Sequence, residues 1–141
     1  QQNYKLTCIS DGVAASKIVR TSALDKIITE HDLTLHVPEH KIYVQDSALC
    51  SKEIPSAKST IDILRKILKS PGYKISNKEF NGSSYGQNRY DLQSKIFIPL
   101  AKSIEKLAKK KLNFHISGGM YDDFSVSLEL KNLSIAILET L

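Results

Sequence analysis

Cys8, Cys50, four histidines and one acidic pair are the residues whose chemistry could matter most in this chain. Cys8 and Cys50 are the only cysteines. In an exported protein they are the two candidates for a disulfide; otherwise they are two free thiols. A bridge would close a long loop and contribute roughly 4 kcal/mol in the chain-entropy account. Cys50 as a nucleophile would need a neighbouring base, and no sequence signature supplies one. His31, His36, Glu39 and His40 fall within ten residues. Three such nitrogens can hold zinc, but Pro38 interrupts the strand and the spacing fits no standard metal motif. Asp122-Asp123, between Gly118-Gly119 and an apolar alternation, reads as turn chemistry. Phosphate loops, dinucleotide fingerprints and nucleophile elbows are absent from the sequence. Asn81-Gly82-Ser83 and Asn132-Leu133-Ser134 match the glycosylation pattern, which is common by chance. The expectation is a protein without catalytic, cofactor or metal sites.

The bulk properties set the partners. The 141 residues allow one ordinary domain or two very small ones, and a 41% hydrophobic, 25% charged composition is that of a globular protein. Net charge is +5. That permits contact with nucleic acid, acidic partners or an anionic surface, although solvated lysine faces account for it equally well. Lys109-Lys110-Lys111 is the densest basic run and reads either as a phosphate patch or as a solvated helix end. No apolar run approaches the roughly 20 residues needed to span a membrane. The opening QQNYKL lacks Met and resembles a mature end left by signal-peptide removal, as do many trimmed chains.

The elements that would position these groups follow from periodicity. Tyr4 to Ile9 alternates as a strand with Tyr4, Leu6 and Cys8 on one face. Asp11-Gly12 breaks it. Ala-rich Val13 to Val19 is expected to be helical. Ser22 with Asp25 suggests a capping box for a second helix carrying Leu24, Ile27 and Ile28 inward. LTLHV (33–37) and KIYV (41–44) read as strands. A helix capped by Ser59 buries Ile61, Leu64, Ile67 and Leu68 and stops at Pro71-Gly72. YKIS (73–76) is strand-like. NGSSYGQN (81–88) is the linker candidate. RYDLQSKIFI (89–98) has extended character, and Pro99 opens a helix with Leu100, Ile104, Leu107 and Ala108 inward. LNFHI (112–116) and Phe124 to Leu130 are strands. After Asn132 as N-cap, Ile135 and Leu138 have helical spacing. A helix over 133–141 is expected, with a strand as the alternative.

A weak internal repeat accompanies this pattern. LTLHV (33–37) pairs with LNFHI (112–116), and TIDIL (60–64) with SIAIL (134–138). His36 and His115 then occupy matching, outward strand positions. The expected architecture is α+β: two small related helix–strand units, each a small sheet packed with two helices. They would span residues 1–80 and 89–141, joined by the linker 81–88.

The stretches IPLAKSIEKLAKKKLNFHI, SGGMYDD and FSVSLELKNLSIAILETL resemble the short N-terminal domain shared by secretins and TonB-dependent receptors. That family's pattern is a helix, a strand, a loop, and a strand passing through Asn or Gly into a second helix. Thr21 to Ser76 is a looser match ending in ILRKILKSPGYKIS, and the second unit lacks the family's closing strand. The resemblance implies a periplasmic or envelope module of a secretin or TonB-receptor system. Such a module binds or signals to a protein partner, is open to self-association, and catalyses nothing. The alternative is a small basic nucleic-acid-binding α/β domain. Against it, a Gly-x-x-Gly junction and paired exposed strand aromatics are both missing.

Overall fold

In a computed structural model the described residues are 3–80, 85–86, 88–119 and 123–141. Asp122 and the Asn81-Gly82-Ser83 pattern lie outside them, as does much of the expected linker. Among the described residues the architecture is α+β, with two sheets and three helices. The strands are β1 (Asn3–Ser10), β2 (Val13–Arg20), β3 (Leu33–His36), β4 (Lys41–Val44), β5 (Ser47–Ala48), β6 (Lys74–Ser76), β7 (Asn113–Gly118), β8 (Phe124–Glu129) and β9 (Ser134–Thr140). Helix α1 is Leu24–Glu30 and α2 is Ala57–Leu68. Helix α3 runs through Arg89–Asp91, a π-helical Leu92–Phe97 and an α-helical Ile98–Ala108.

The larger sheet has the order β2-β1-β9-β3-β4-β5, and the smaller is β6-β8-β7. β9 pairs antiparallel with β1 and parallel with β3. It therefore lies between two strands from the start of the chain, and the stretches either side of 81–88 interleave in one sheet. Alternate side chains of this sheet serve two cores. Ile9, Leu33, Leu35, Ile135 and Ile137 face the main core, which also takes in α2, α3 and the inner side of the smaller sheet. Tyr4, Leu6, Ala136 and Leu138 face the other way and pack under Ile27 of α1.

Two expected helices are strands. Val13 to Val19 is β2, paired with β1 across Asp11-Gly12 in the register Ser10↔Val13 to Asn3↔Arg20. Asp11 (φ 50°) and Gly12 (φ 81°) both take left-handed backbone. That is the two-residue type I′ hairpin whose twist matches its strands, and Asp-Gly is its strongest sequence mark. Residues 134–140 are β9. Asn132 is left-handed (φ 65°) in a turn closed by Leu133 N–H donating to Leu130 C=O at 3.2 Å, so it turns the chain instead of capping a helix.

Three boundaries also move. Ser56, not Ser59, caps α2, its hydroxyl accepting from Ser59 N–H at 3.2 Å. Neither Ser22 nor any other side chain caps α1. RYDLQSKIFI is helical from Arg89, with Asn88 accepting from Asp91 N–H at 2.8 Å. Pro99 then falls inside α3. It cannot donate to the carbonyl one turn back, and the helix widens just before it, where Ile98 N–H reaches Gln93 C=O.

The strand pair LTLHV and LNFHI both form strands, but TIDIL lies in α2 and SIAIL in β9. The secondary structure at those paired segments does not repeat. Of the segments that carry the sequence resemblance, IPLAKSIEKLA lies in α3, NFHISG is β7 and FSVSLE is β8, while SIAILET is a strand where a helix was expected.

Candidate interaction site

Among the described residues, β2 is the most exposed strand. Its neighbour β1 is anchored by Tyr4 and Leu6 in the second core. β2 itself rests on that core only through Val19. Every other β2 residue is exposed, Val13 to 69% and Ile18 to 66%. One face of the hairpin carries Thr7 and Ser16, whose hydroxyls meet at 3.1 Å. The other carries Tyr4 opposite Val19 and Leu6 opposite Lys17.

The turn fixes which backbone groups β2 offers. Ser10 C=O accepts from Val13 N–H in the closing pair of such a turn. Hydrogen-bonded and open pairs then alternate along the ladder. Val13, Ala15, Lys17 and Val19 bond to β1, and Ala14, Ser16, Ile18 and Arg20 point their N–H and C=O groups away from the sheet. This edge is eight residues long and contains no proline. The other edges are shorter: two residues in β5, three in β6 and six in β7. Short edges, charges and prolines are the usual defences against strand addition. β2 has only Lys17 and Arg20.

A second surface is a groove of about 390 Å³ between the 52–55 loop and α3, lined by Lys52, Glu53, Ser94, Ile98, Lys102 and Lys106 among others. Ser94 lies on the π-helical segment. The three lysines suit an anion, but all are exposed, and Glu53 stands among them.

The residues singled out in the sequence do not converge. Cys8 and Cys50 are both free. The row Cys8, Ala136, Thr34, Tyr43, Ala48 crosses the sheet, and Cys50 lies beyond its end. Four strand spacings, roughly 19 Å, separate the ends of that row, against about 7 Å for bridgeable Cα atoms. Of the two readings, a bridge or two free thiols, the structure has two separate thiols. Burial pushes the Cys8 thiol up, partly offset by Lys17. Cys50 is exposed, and its thiol donates to Glu53, whose carboxyl that bond holds low.

His36 is not an outward strand residue. It is 1% exposed, edge-on to Tyr4 with ring centroids 5.2 Å apart. Its Nδ1 accepts from Glu39 N–H at 3.2 Å, and burial holds its pKa below the usual value. His115, its expected counterpart, is exposed. His31 bonds Ile27 C=O at 2.7 Å. His40 is exposed with left-handed backbone. Among the described residues no three His, Cys, Asp or Glu side chains gather in metal-binding geometry. Asp123 pairs with Lys78 at 3.7 Å on the surface.

Sequence reading missed two polar hubs. Buried Asp32 accepts from Lys110 Nζ and Ser134 N–H at 2.9 Å each and from Gln45 Nε2 at 3.1 Å, tying the starts of β3 and β9 to the end of α3. So Lys110, part of the Lys109–Lys111 run, is an ion-pair partner. Glu139 on β9, 8% exposed, accepts from Arg65 and from Lys69 Nζ (2.9 Å) of α2. Burial would raise its pKa, but the bonds from Lys69 and Arg65 prevail and hold it low. Neither hub has a local signature, because each joins residues 70 or more positions apart.

No protein-family model, no curated protein and no solved structure matches this chain.

Proposed function

We propose that this chain is a non-catalytic protein-interaction module whose docking element is the open edge of β2. The observation that carries this reading is the edge itself: eight residues, exposed on both faces, with a row of outward N–H and C=O groups. A long edge guarded only by Lys17 and Arg20 is an aggregation hazard unless something binds it. Strand addition takes affinity from main-chain hydrogen bonds and specificity from alternate side chains. Here β2 offers Val13 and Lys17 on one face and Ile18 and Arg20 on the other. The envelope setting, in a secretin or TonB-receptor system, rests on the sequence resemblance alone.

A photo-crosslinking residue at Ile18, in cells that make the protein, tests the docking surface. Discrete protein adducts are expected, in excess of those from the same group at exposed Glu79 beside the smaller sheet. Equal labelling at both positions removes β2 as the docking element.

The lysine-lined groove favours nucleic acid as the second reading. It requires single-stranded RNA binding that weakens steeply with salt. Absence of binding at low salt ends it.

A further inference from the structure

We propose that the β2 edge takes a second copy of this chain, antiparallel, about a two-fold axis through Ser16. The inference rests on β2 being the docking edge and adds the identity and register of its occupant.

When two identical strands meet edge to edge about a two-fold axis perpendicular to the sheet, opposed residues lie on the same face. Only registers centred on a residue satisfy this. Among them, centring on Ser16 or on Lys17 overlaps the most of β2. The Lys17 register brings the two Lys17 side chains together in a close, open pair, with Cα atoms about 4.5 Å apart. Like charges directly opposite each other destabilise a sheet.

The Ser16 register has no such conflict. Ser16 opposes Ser16 of the second copy, Ala14 opposes Ile18, and these are the residues whose backbone groups point outward. Each of these pairs can exchange both N–H···O bonds. Val13 opposes Val19 and Ala15 opposes Lys17 in the open pairs. The exposed Val13 and Ile18 are thereby covered by apolar partners. Arg20 falls opposite Gly12 of the second copy, next to Asp11, so opposite charges meet at both ends of the interface. One continuous sheet then runs through both copies, and each β2 becomes an interior strand.

Cysteine pairing reads the register directly. In a Cys8→Ser, Cys50→Ser background, chains carrying Ala15→Cys are mixed with chains carrying Lys17→Cys and mildly oxidised. The 15/17 pair is an open pair, whose Cα spacing of about 4.5 Å permits a disulfide. The expected result is a reducible dimer at least ten-fold more abundant in the mixture than in either chain alone. Sedimentation of the unsubstituted protein is expected to show a monomer–dimer equilibrium that Ile18→Asp abolishes while its circular dichroism stays unchanged. Because Lys17→Cys removes the charge that disfavours the Lys17 register, Val13→Cys chains mixed with Val19→Cys chains, a second open pair of the Ser16 register, decide the axis: no excess linkage in that mixture overturns it. A monomer at high concentration with no linkage overturns the second copy as occupant. In that event, adducts of another protein at Ile18 in cells keep β2 as a docking edge, and their absence removes that reading too.

Discussion

β9 and β2 are built from similar residues and meet opposite fates. SIAILET and VAASKIVR each combine Ala, Ser and β-branched residues in seven or eight positions. β9 is the third strand of its sheet, with both faces covered: Ile135 and Ile137 in the main core, Ala136 and Leu138 beneath α1. β2 is the terminal strand, with both faces largely in solvent. Local propensity makes either one a strand. Only position in the sheet decides which is a structural keystone and which is a surface open to a partner.

The largest contrast is expected from truncation. Ile137→Ala on β9 should cost about 2–5 kcal/mol in urea unfolding, because it leaves a cavity against the main core. Ile18→Ala on β2 should change stability by no more than about 0.5 kcal/mol. Similar losses at both sites would erase the distinction.

A smaller effect is expected at the polar end of β9. Glu139→Gln removes the shared acceptor of Arg65 and Lys69, and should cost about 1–2 kcal/mol once solvent screening at half-exposed Lys69 is allowed for. Because the folded pKa of Glu139 lies below its unfolded value, its contribution is present above the usual carboxylate range. It is lost as pH falls through the folded pKa. In Glu139→Gln that part of the acid loss should vanish, as pH-dependent unfolding would show.

His36 sharpens the same point from β3, on the α1 side of the sheet. Its folded pKa is lowered by burial, so the unfolded chain takes up the proton first. Stability should decline as pH falls below about 6.5, the ordinary histidine value. The decline should continue down to the folded pKa. His36→Gln should flatten the profile between those limits, and an unchanged profile would mean His36 is not the titrating group.

The smallest expected effect lies at the hairpin. Gly12→Ala, at φ 81° with open space around the added Cβ, should cost about 1 kcal/mol from backbone strain alone. A larger loss would show that β2 supports the core more than its exposure indicates.

Much of the fold was legible where one face of an element is wet. β4, β8 and α2 keep the alternation or helical stripe that marks a half-buried element, and Phe124, Val126 and Leu128 of β8 and Ile61, Leu64, Ile67 and Leu68 of α2 are buried as the pattern names. β9 was illegible for a physical reason. A strand buried on both faces has no alternation left to read, and Ile135 and Leu138 then mimic a helical stripe. β2 misled in the opposite way, since a strand exposed on both faces has little apolar pattern, although Asp11-Gly12 announced its hairpin. Of the candidate site, Asp11-Gly12 was read as the end of β1, but before a helix and not as a hairpin turn. The open edge was not legible, because which strand ends a sheet depends on β9 inserting beside β1 from the far end of the chain.

Residue-resolved amide hydrogen exchange on dilute protein tests the central claim most directly. The account predicts an alternation along β2: rapid exchange at Ala14, Ser16 and Ile18, protection at Ala15, Lys17 and Val19, and protection throughout β9 from Ile135 to Leu138. Uniform protection along β2 at dilution, equal to that of β9, would mean its edge is already covered within the chain and would contradict the account.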